Sequence, residues 1–442
     1  MGRTESSASG YAPEDDKFDP RVDDFVSKER KYIHFDLRLS ENRRSGLSFS
    51  PDQISSHAFW PLLAYESVER RAKKDFAGNT VFVEKVRPIK FAAHSDAALL
   101  EWYGRVLGSA YELFLRDKNF SRSILAYRTG VGDNISHAKS LFEEISVRGE
   151  CTAIAVDISG FFDNINHEAL ISAIKQVVGV TSLPRHDFKI YNFMTKFSWV
   201  EADALRARLG GAYGRRGRIC TADEFRRLVR RKPDSLVQKN PEIFGIPQGT
   251  PLSGLYANIS MLSVDAVIQD FVLERGGSYR RYSDDIAIVL PGIIDSNPVV
   301  SMVSSVLASV GLKLSAHKTE VSRFSTDVGP QAADKPFQYL GFTFDGQKIL
   351  IRQSSLNRYY SKMHKGIRAK VRAAKNKDVP REEIYLRELY RKYTHFGKSR
   401  NFPRYAYRAA RELKAPEIRS QMRNHFRLFK MALVYYLDRA YS

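Results

Sequence analysis

RYSDDIAIVL, residues 281–290, sets two adjacent aspartates directly before a run of Ile, Ala, Ile, Val and Leu. The run reads as a buried strand, and a buried carboxylate without a partner either shifts its pKa or finds a cation. Two other pairs, Asp15–Asp16 and Asp23–Asp24, lie in a polar N-terminal stretch with no apolar run behind them, where water suffices. Adjacent residues on a strand point to opposite faces, so Asp284 and Asp285 can converge on one cation only from a tight turn between Tyr279–Tyr282 and Ile286–Leu290. A third carboxylate, Asp157, ends another apolar run, TAIAVD (152–157). Three carboxylates with no zinc-type His or Cys nearby suit Mg²⁺, or Mn²⁺ in its place, because hard cations take oxygen ligands and keep phosphates and waters in their shell. Two such ions about 3.5–4 Å apart stabilise both the attacking and the leaving oxygen of a phosphoryl transfer. On these residues alone, three unrelated surface acids are the competing account.

A chain of 442 residues exceeds one ordinary core, so two or three domains are expected. Cys151 and Cys220 stand far apart with no CxxC or clustered His, which gives no zinc motif or disulfide framework and fits a reducing cytoplasm. No apolar leader and no run of about 18 apolar residues is visible, so a soluble cytoplasmic protein without a membrane span is expected. The net charge of +20 is uneven. Residues 351–442 hold 24 Lys and Arg against 7 Asp and Glu, leaving only about +3 for the rest. This points to a polyanion-binding surface in a C-terminal domain, against the plainer account of a merely soluble basic helical domain. Leu356, Tyr360, Met363 and Ile367 are core positions there at helical spacing.

Along the chain, residues 1–20 are expected to be disordered and 21–80 a mixture of helix and loop. TVFVEKVRPIKF (80–91) reads as a strand and DAALLEWYGRVLGSAYELFL (96–115) as a helix, with a further helix to about Val147. CTAIAVDI (151–158) is a strand and HEALISAIKQVVG (167–179) an amphipathic helix. GGAYGRRGRI (210–219) reads as an insertion or flexible loop within residues 180–244. Thr250 and Pro251 suit the N-cap and first position of the next helix. SYRRYSDDIAIVL (278–290) is strand–turn–strand, VVSMVSSVLASVG (299–311) a helix ended by Gly311, and FQYLGFTFDGQKILI (337–351) a hairpin with an Asp-Gly turn. This order predicts an α+β domain with one sheet backed by helices.

AVDISGFFDNINHEAL (155–170), GIPQGTPLSGLYANISM (245–261), RYSDDIAIVL (281–290), GLKLSAHKTEV (311–321) and FQYLGFTF (337–344) resemble, in order, the five palm motifs of reverse transcriptases. The similarity is to the bacterial group that includes group II intron, retron and abortive-infection enzymes. VRPIKFAAHSD (86–96) through NFSRSILAYRTGVGDN (119–134) resembles the fingers motifs of that group, so the likeness covers roughly residues 81–345. It implies a right-hand polymerase: an N-terminal extension (1–80, partly disordered), fingers (81–150), a palm (151–345) with an insertion around 180–244, and a basic helical thumb or C-terminal domain (346–442).

The resemblance also implies roles. Asp157, Asp284 and Asp285 bind the two Mg²⁺, with the Ile158 carbonyl completing a site. Gln248 contacts the incoming nucleotide, although a solvated turn residue accounts for it equally well locally. Arg87 grips the triphosphate and Lys318 protonates the leaving pyrophosphate; without the motifs both read as surface cations. Phe162, five residues after Asp157, closes against a ribose 2′-OH, or else is a core aromatic. Tyr282 and Ser283 are structural, and FQYLGF (337–342) is a primer grip or simple apolar packing. No HNH or RNase H-like motif follows the palm, and the retron NAxxH and VTG signatures are missing. The long N-terminal extension and the insertion look more like the abortive-infection and other defence-associated enzymes. The expected function is an RNA-directed DNA polymerase using dNTPs, Mg²⁺ and an RNA template or non-coding RNA, yielding DNA, in bacterial antiphage defence. A partner protein or homo-oligomer is left open. One alternative is untemplated synthesis primed on the protein's own hydroxyl; another, of a different class, is a catalytically inactive RNA-binding module.

Overall fold

The computed structural model describes residues 25–74, 79–315, 318–327, 329–397 and 401–442. Walking from the N-terminus, β1 (Leu62–Lys74) and β2 (Thr80–Phe91) form a long antiparallel hairpin, in register from Leu63↔Phe91 to Lys74↔Thr80. A boundary at residue 80 would therefore cut a hairpin; the described chain before Leu62 is short helix (Glu41–Arg44, Pro51–Ser56) and loop as expected, and Leu62–Lys74 is strand. The chain before it is built in as well. Asp36 accepts from the backbone N–H groups of His94 and Ser95 at the start of the helix His94–Asp117, which would otherwise be orphan donors. Buried Asp96 in the same turn accepts from the Trp60 N–H and pairs with His57. The disorder expected for residues 1–20 lies outside the described residues.

β3 (Cys151–Ser159) follows the helix Asn134–Arg148. β4 (Ser198–Glu201) pairs in parallel with the base of β1, Leu62↔Trp199 to Ala64↔Glu201, and β5 (Gln238–Lys239) pairs with β4. The first sheet thus runs β2-β1-β4-β5. The segment around GGAYGRRGRI is not a free loop. Ile219 and Cys220 are buried in a small core with Phe35, Leu63, Leu205 and Phe225.

The second sheet positions the acids. It contains β6 (Ser278–Tyr282), β7 (Asp285–Pro291), β8 (Lys313–Leu314), β9 (Glu320–Ser325) and β10 (Ala332–Ala333), in the order β10-β9-β3-β7-β6, with β8 pairing the end of β3. β3 and β7 are covered on both faces, which explains their nearly unbroken apolar sequence. Ile154, Val156 and Ile158 with Ile286, Ile288 and Leu290 enter one core, shared with the helices His94–Asp117, His167–Val178 and Leu262–Leu273. The smaller Ala153, Ala287 and Val289 face the other, where the helix Asn134–Arg148 contributes Leu141, Phe142 and Ile145.

β11 (Phe337–Tyr339), β12 (Phe342–Phe344) and β13 (Ile349–Ile351) make a three-stranded meander rather than one hairpin. The extra turn is Leu340–Gly341, both left-handed, with φ 46° and 93°. The expected N-cap at Thr250 is displaced: residues 250–252 form a turn, and the helix begins at Ser253 (Ser253–Ile259), whose hydroxyl lies 2.7 Å from the Thr250 hydroxyl. C-terminal helices Gln353–Lys375, Arg387–Tyr393, Phe402–Glu412, Pro416–Met422 and His425–Tyr441 continue the second core without a break. Tyr359, not Tyr360, joins Leu356, Met363 and Ile367 among the fully buried residues of the first of these. Among the described residues no helix is long and apolar enough to cross a membrane.

Candidate active site

The mouth of the second sheet brings the three aspartates together. Asp157, near the end of β3, lies directly opposite Asp285, the first residue of β7, and the Ile158 N–H donates to the Asp284 carbonyl at 3.0 Å. The turn between β6 and β7 is tight because Ser283 takes a left-handed φ of 62°. Its side chain is buried and its hydroxyl lies 3.1 Å from the Tyr127 hydroxyl.

Beneath the turn sits a charged network. Arg281 and Asp265 are both fully buried and paired at 2.6 Å. Arg281 also donates to the Asn258 side chain at 3.0 Å and to the Ser283 carbonyl at 3.3 Å, while the Tyr279 hydroxyl donates to Asp265 at 2.6 Å. Burial alone would lower the Arg281 pKa; the Asp265 carboxylate more than offsets it and leaves the guanidinium above its ordinary value. The arginine thus ties the backbone of the Ser283–Asp284 turn to the helix Leu262–Leu273.

The acids strain one another electrostatically. Burial, then the Asp157 charge, raises the pKa of Asp284, against the opposing pull of Lys318 and Lys85. Asp285 keeps an open face to solvent but is crowded within the cleft. Desolvation, followed by the charges of Asp284 and Asp157, pushes it up to about 6. The Lys318 ammonium is ion-paired with Asp157. Among the described residues no three His, Cys, Asp or Glu side chains stand grouped as a ready-made metal cage. The donor set itself suits Mg²⁺: three oxygen-bearing acids at paired strand ends, two with raised proton affinity that a divalent cation would relieve. Ile158 has its side chain in the core and pairs with Leu314, so only its backbone is available to a ligand.

Gln248 sits in a loop docked on β2, where its carbonyl accepts from the Lys90 N–H at 2.8 Å. Gly249 is required beside it, because φ is +120° and a Cβ would meet the Lys90 carbonyl at 2.9 Å. Phe162 lies in the short helical turn Phe161–Asn164, and its carbonyl accepts from the Ile246 N–H at 2.9 Å, linking that loop to the end of β3. Phe161 is buried in the first core; Phe162 is half-buried with its ring edge-on to Tyr127 at 6.5 Å. Arg87 is held elsewhere. It pairs with Glu69 at 3.2 Å, and Glu69 also binds Arg358 of the first C-terminal helix at 2.9 Å.

Sequence reasoning therefore missed four residues around this cleft. Lys85 is the hairpin cation whose charge acts on Asp284, and its spacing of two from Arg87 on a strand was the available signal. Tyr127 joins Phe162 to the Ser283 turn, but its left-handed φ of 56° and ring packing on Gly254 have no local sequence signature. Arg281–Asp265 joins residues sixteen apart through the fold.

Residues 97–344 match the family model described as reverse transcriptase (RNA-dependent DNA polymerase). No curated protein matches the chain. Among solved structures, the chain is similar to apo telomerase from Candida tropicalis truncated from its C-terminal domain (10% identity, 66% of this chain and 55% of that one, TM-score 0.40). It is also similar to telomerase from Candida albicans in complex with a fragment of telomeric RNA (12% identity, 89% and 60%, TM-score 0.42). A third similar structure is the RNA-dependent RNA polymerase of a human picorbirnavirus (11% identity, 64% and 43%, TM-score 0.34). The chain spans little more than half the length of the telomerases it matches. Its helices and sheets form the α+β right-hand polymerase fold expected from the motifs, and the chain belongs to the reverse transcriptase (RNA-dependent DNA polymerase) family.

Proposed function

We propose that this protein is an RNA-directed DNA polymerase that joins dNTPs on an RNA template, with the aspartates at the mouth of the second sheet as its catalytic centre. The observation that carries this reading is the cross-strand placement of Asp157 against Asp285 beside Asp284, in a site that raises the proton affinity of two of the three. Asp157, Asp284 and Asp285, with the Ile158 carbonyl, would hold two Mg²⁺, which when bound supply charge neutralisation for a triphosphate and its leaving group. Phe162 and Tyr127 form an aromatic wall beside the catalytic turn, a surface that can pack a deoxyribose and exclude a 2′-OH. Gln248 presents its side chain from the loop docked on β2. Lys318, released from Asp157, carries a proton for the departing pyrophosphate. Lys85 supplies positive charge for the triphosphate, joined by Arg87 on the same face of β2 once it is released from Glu69. The basic C-terminal helices hold the template and product by their phosphates. We extend the reading, on sequence character alone, to a cytoplasmic bacterial enzyme of antiphage defence that carries a non-coding RNA.

The test is Mg²⁺-dependent dNTP incorporation on an RNA template by wild type, Asp157→Ala and Asp284→Ala. Loss of one metal ligand is expected to reduce the rate by orders of magnitude with the fold intact. Wild-type-like synthesis by either variant would sink the assignment.

A further inference from the structure

The C-terminal helices are not the sole concentration of positive charge. Between Arg206 and Lys232 the chain carries ten Arg and Lys and only two acids, Asp223 and Glu224. This stretch and the C-terminal helices together exceed the charge of the whole chain, so everything else is net acidic. The basic stretch lies on the small core that hangs from β1 and β4. Phe225 and Val229 are buried in that core, and the two arginine pairs Arg226–Arg227 and Arg230–Arg231 beside them are exposed.

The local acids and hydrogen bonds leave the field positive. Arg206 and Arg226 meet Asp203 and Asp223 at 2.8 and 2.7 Å, but both pairs stand open in solvent, where such contacts neutralise little. Glu224 is engaged in the capping box of its own helical turn, accepting from the Thr221 N–H at 2.7 Å. Arg208 and Arg215 donate to the carbonyls of Leu228 and Gly211, which orient a guanidinium without cancelling its charge. The module is fixed to the first sheet by β4 on β1, while β2, at the opposite edge, carries Lys85, whose charge acts on Asp284. None of its cations, among the described residues, is paired with the three aspartates.

Nine of the ten cations are arginine. The planar guanidinium fork matches phosphate oxygens two at a time and is favoured where a phosphate backbone is gripped. The ring beside these cations, Tyr213, lies under Arg206 at 5.5 Å rather than offered as a stacking platform. A surface of forks without exposed rings reads phosphates and not unstacked bases, which suits a double-helical segment over a single strand.

We propose that this face is a second nucleic-acid anchor, holding a base-paired segment of RNA by its backbone outside the catalytic cleft. The choice of RNA rests on the polymerase reading above. The experiment compares wild type with Arg226→Ser/Arg227→Ser/Arg230→Ser/Arg231→Ser in two assays: anisotropy binding of a short RNA hairpin across salt concentrations, and dNTP incorporation on saturating preannealed primer–template. The variant is expected to lower the log-affinity against log-salt slope by about 3 to 4 and to bind the hairpin at least about tenfold more weakly, with incorporation unchanged. The matching four-lysine variant keeps the charge and is expected to keep the slope. Unchanged hairpin binding overturns the proposal, as does a parallel loss of incorporation, which would place the face in the cleft. Wild type that binds phosphatidylserine-containing vesicles through this face but not the hairpin overturns it too. If wild type fails to incorporate dNTPs, the polymerase reading falls and the hairpin arm alone judges the anchor.

Discussion

Replacing Arg281 by Met tests whether the catalytic turn is built on a buried charge. Both members of the Arg281–Asp265 pair are fully buried, so the methionine would fill the space but leave the Asp265 carboxylate without its counter-ion. Breaking such a pair from one side destabilises by about 3–5 kcal/mol. The lost hydrogen bonds to Asn258 and to the Ser283 carbonyl add to this and release the turn that presents Asp284 and Asp285. In Arg281→Met/Asp265→Leu no charge remains stranded; the Tyr279 hydroxyl loses its acceptor, a penalty of about 1–3 kcal/mol. The double variant is therefore expected to be more stable than the single one while remaining impaired in synthesis. A chain of several domains need not unfold in one step, so the local readout is hydrogen exchange of two amides that straddle the arginine. The Arg281 N–H donates to the Ser123 carbonyl at 2.7 Å, and the Leu125 N–H donates to the Arg281 carbonyl at 2.9 Å. Protection of both should fall in Arg281→Met and recover in part in the double variant. Loss below about 1 kcal/mol, or a double variant no better than the single, would refute the account of the turn.

Phe162→Val should retain dNTP use and raise relative kcat/KM for rNTPs, because its half-buried ring stands beside Tyr127. Phe161→Ala should instead cost about 3–5 kcal/mol of stability without changing sugar preference, read by melting and paired single-nucleotide incorporation. Because the Asp285 pKa is raised to about 6, protons and Mg²⁺ compete for it, so the Mg²⁺ needed for half-maximal rate should rise as pH falls through 6 and level off above 7. A requirement that stays flat from pH 7.5 to 5.5 would contradict that. Arg368→Ala/Lys370→Ala/Arg372→Ala in the helix Gln353–Lys375 should lower the salt slope of primer–template binding by about 2 to 3; an unchanged slope would assign those charges elsewhere.

The second sheet was legible because its strands carry their own signal. TAIAVD and DIAIVL are apolar on both faces, and an acid at the end of each stands out against that background. At the neighbouring Phe161 and Phe162 the structure buries the first ring in the core and leaves the second half-buried beside Tyr127. β1 was not legible: LLAYESVERRAKK holds six charged residues and many good helix formers, and it is a strand only because β2 and β4 pair with it. The same non-locality hid the core under GGAYGRRGRI, which borrows Phe35 and Leu63 from far upstream. Arg87 was singled out by motif and Lys85 was not considered; the fold pairs Arg87 with Glu69 and brings the Lys85 charge to bear on Asp284. At Thr250 the local capping chemistry was sound, but the turn from Pro247 absorbed it before the helix began.

The parallel pairing of β1 with β4 also sets a timetable for synthesis. Leu62 and Trp199 are 137 residues apart, so closing that loop opposes folding by about 4 kcal/mol of chain entropy before any contact repays it. At roughly 5–20 residues per second a ribosome takes roughly 7–27 s to cover the interval. During that time the β1–β2 hairpin can form from local contacts, but the inner edge of β1 has no neighbour. An open strand edge invites pairing with another nascent chain, and charge along the strand is the common safeguard. The polar sequence that disguised β1 as a helix is then what lets it wait alone on the ribosome without aggregating.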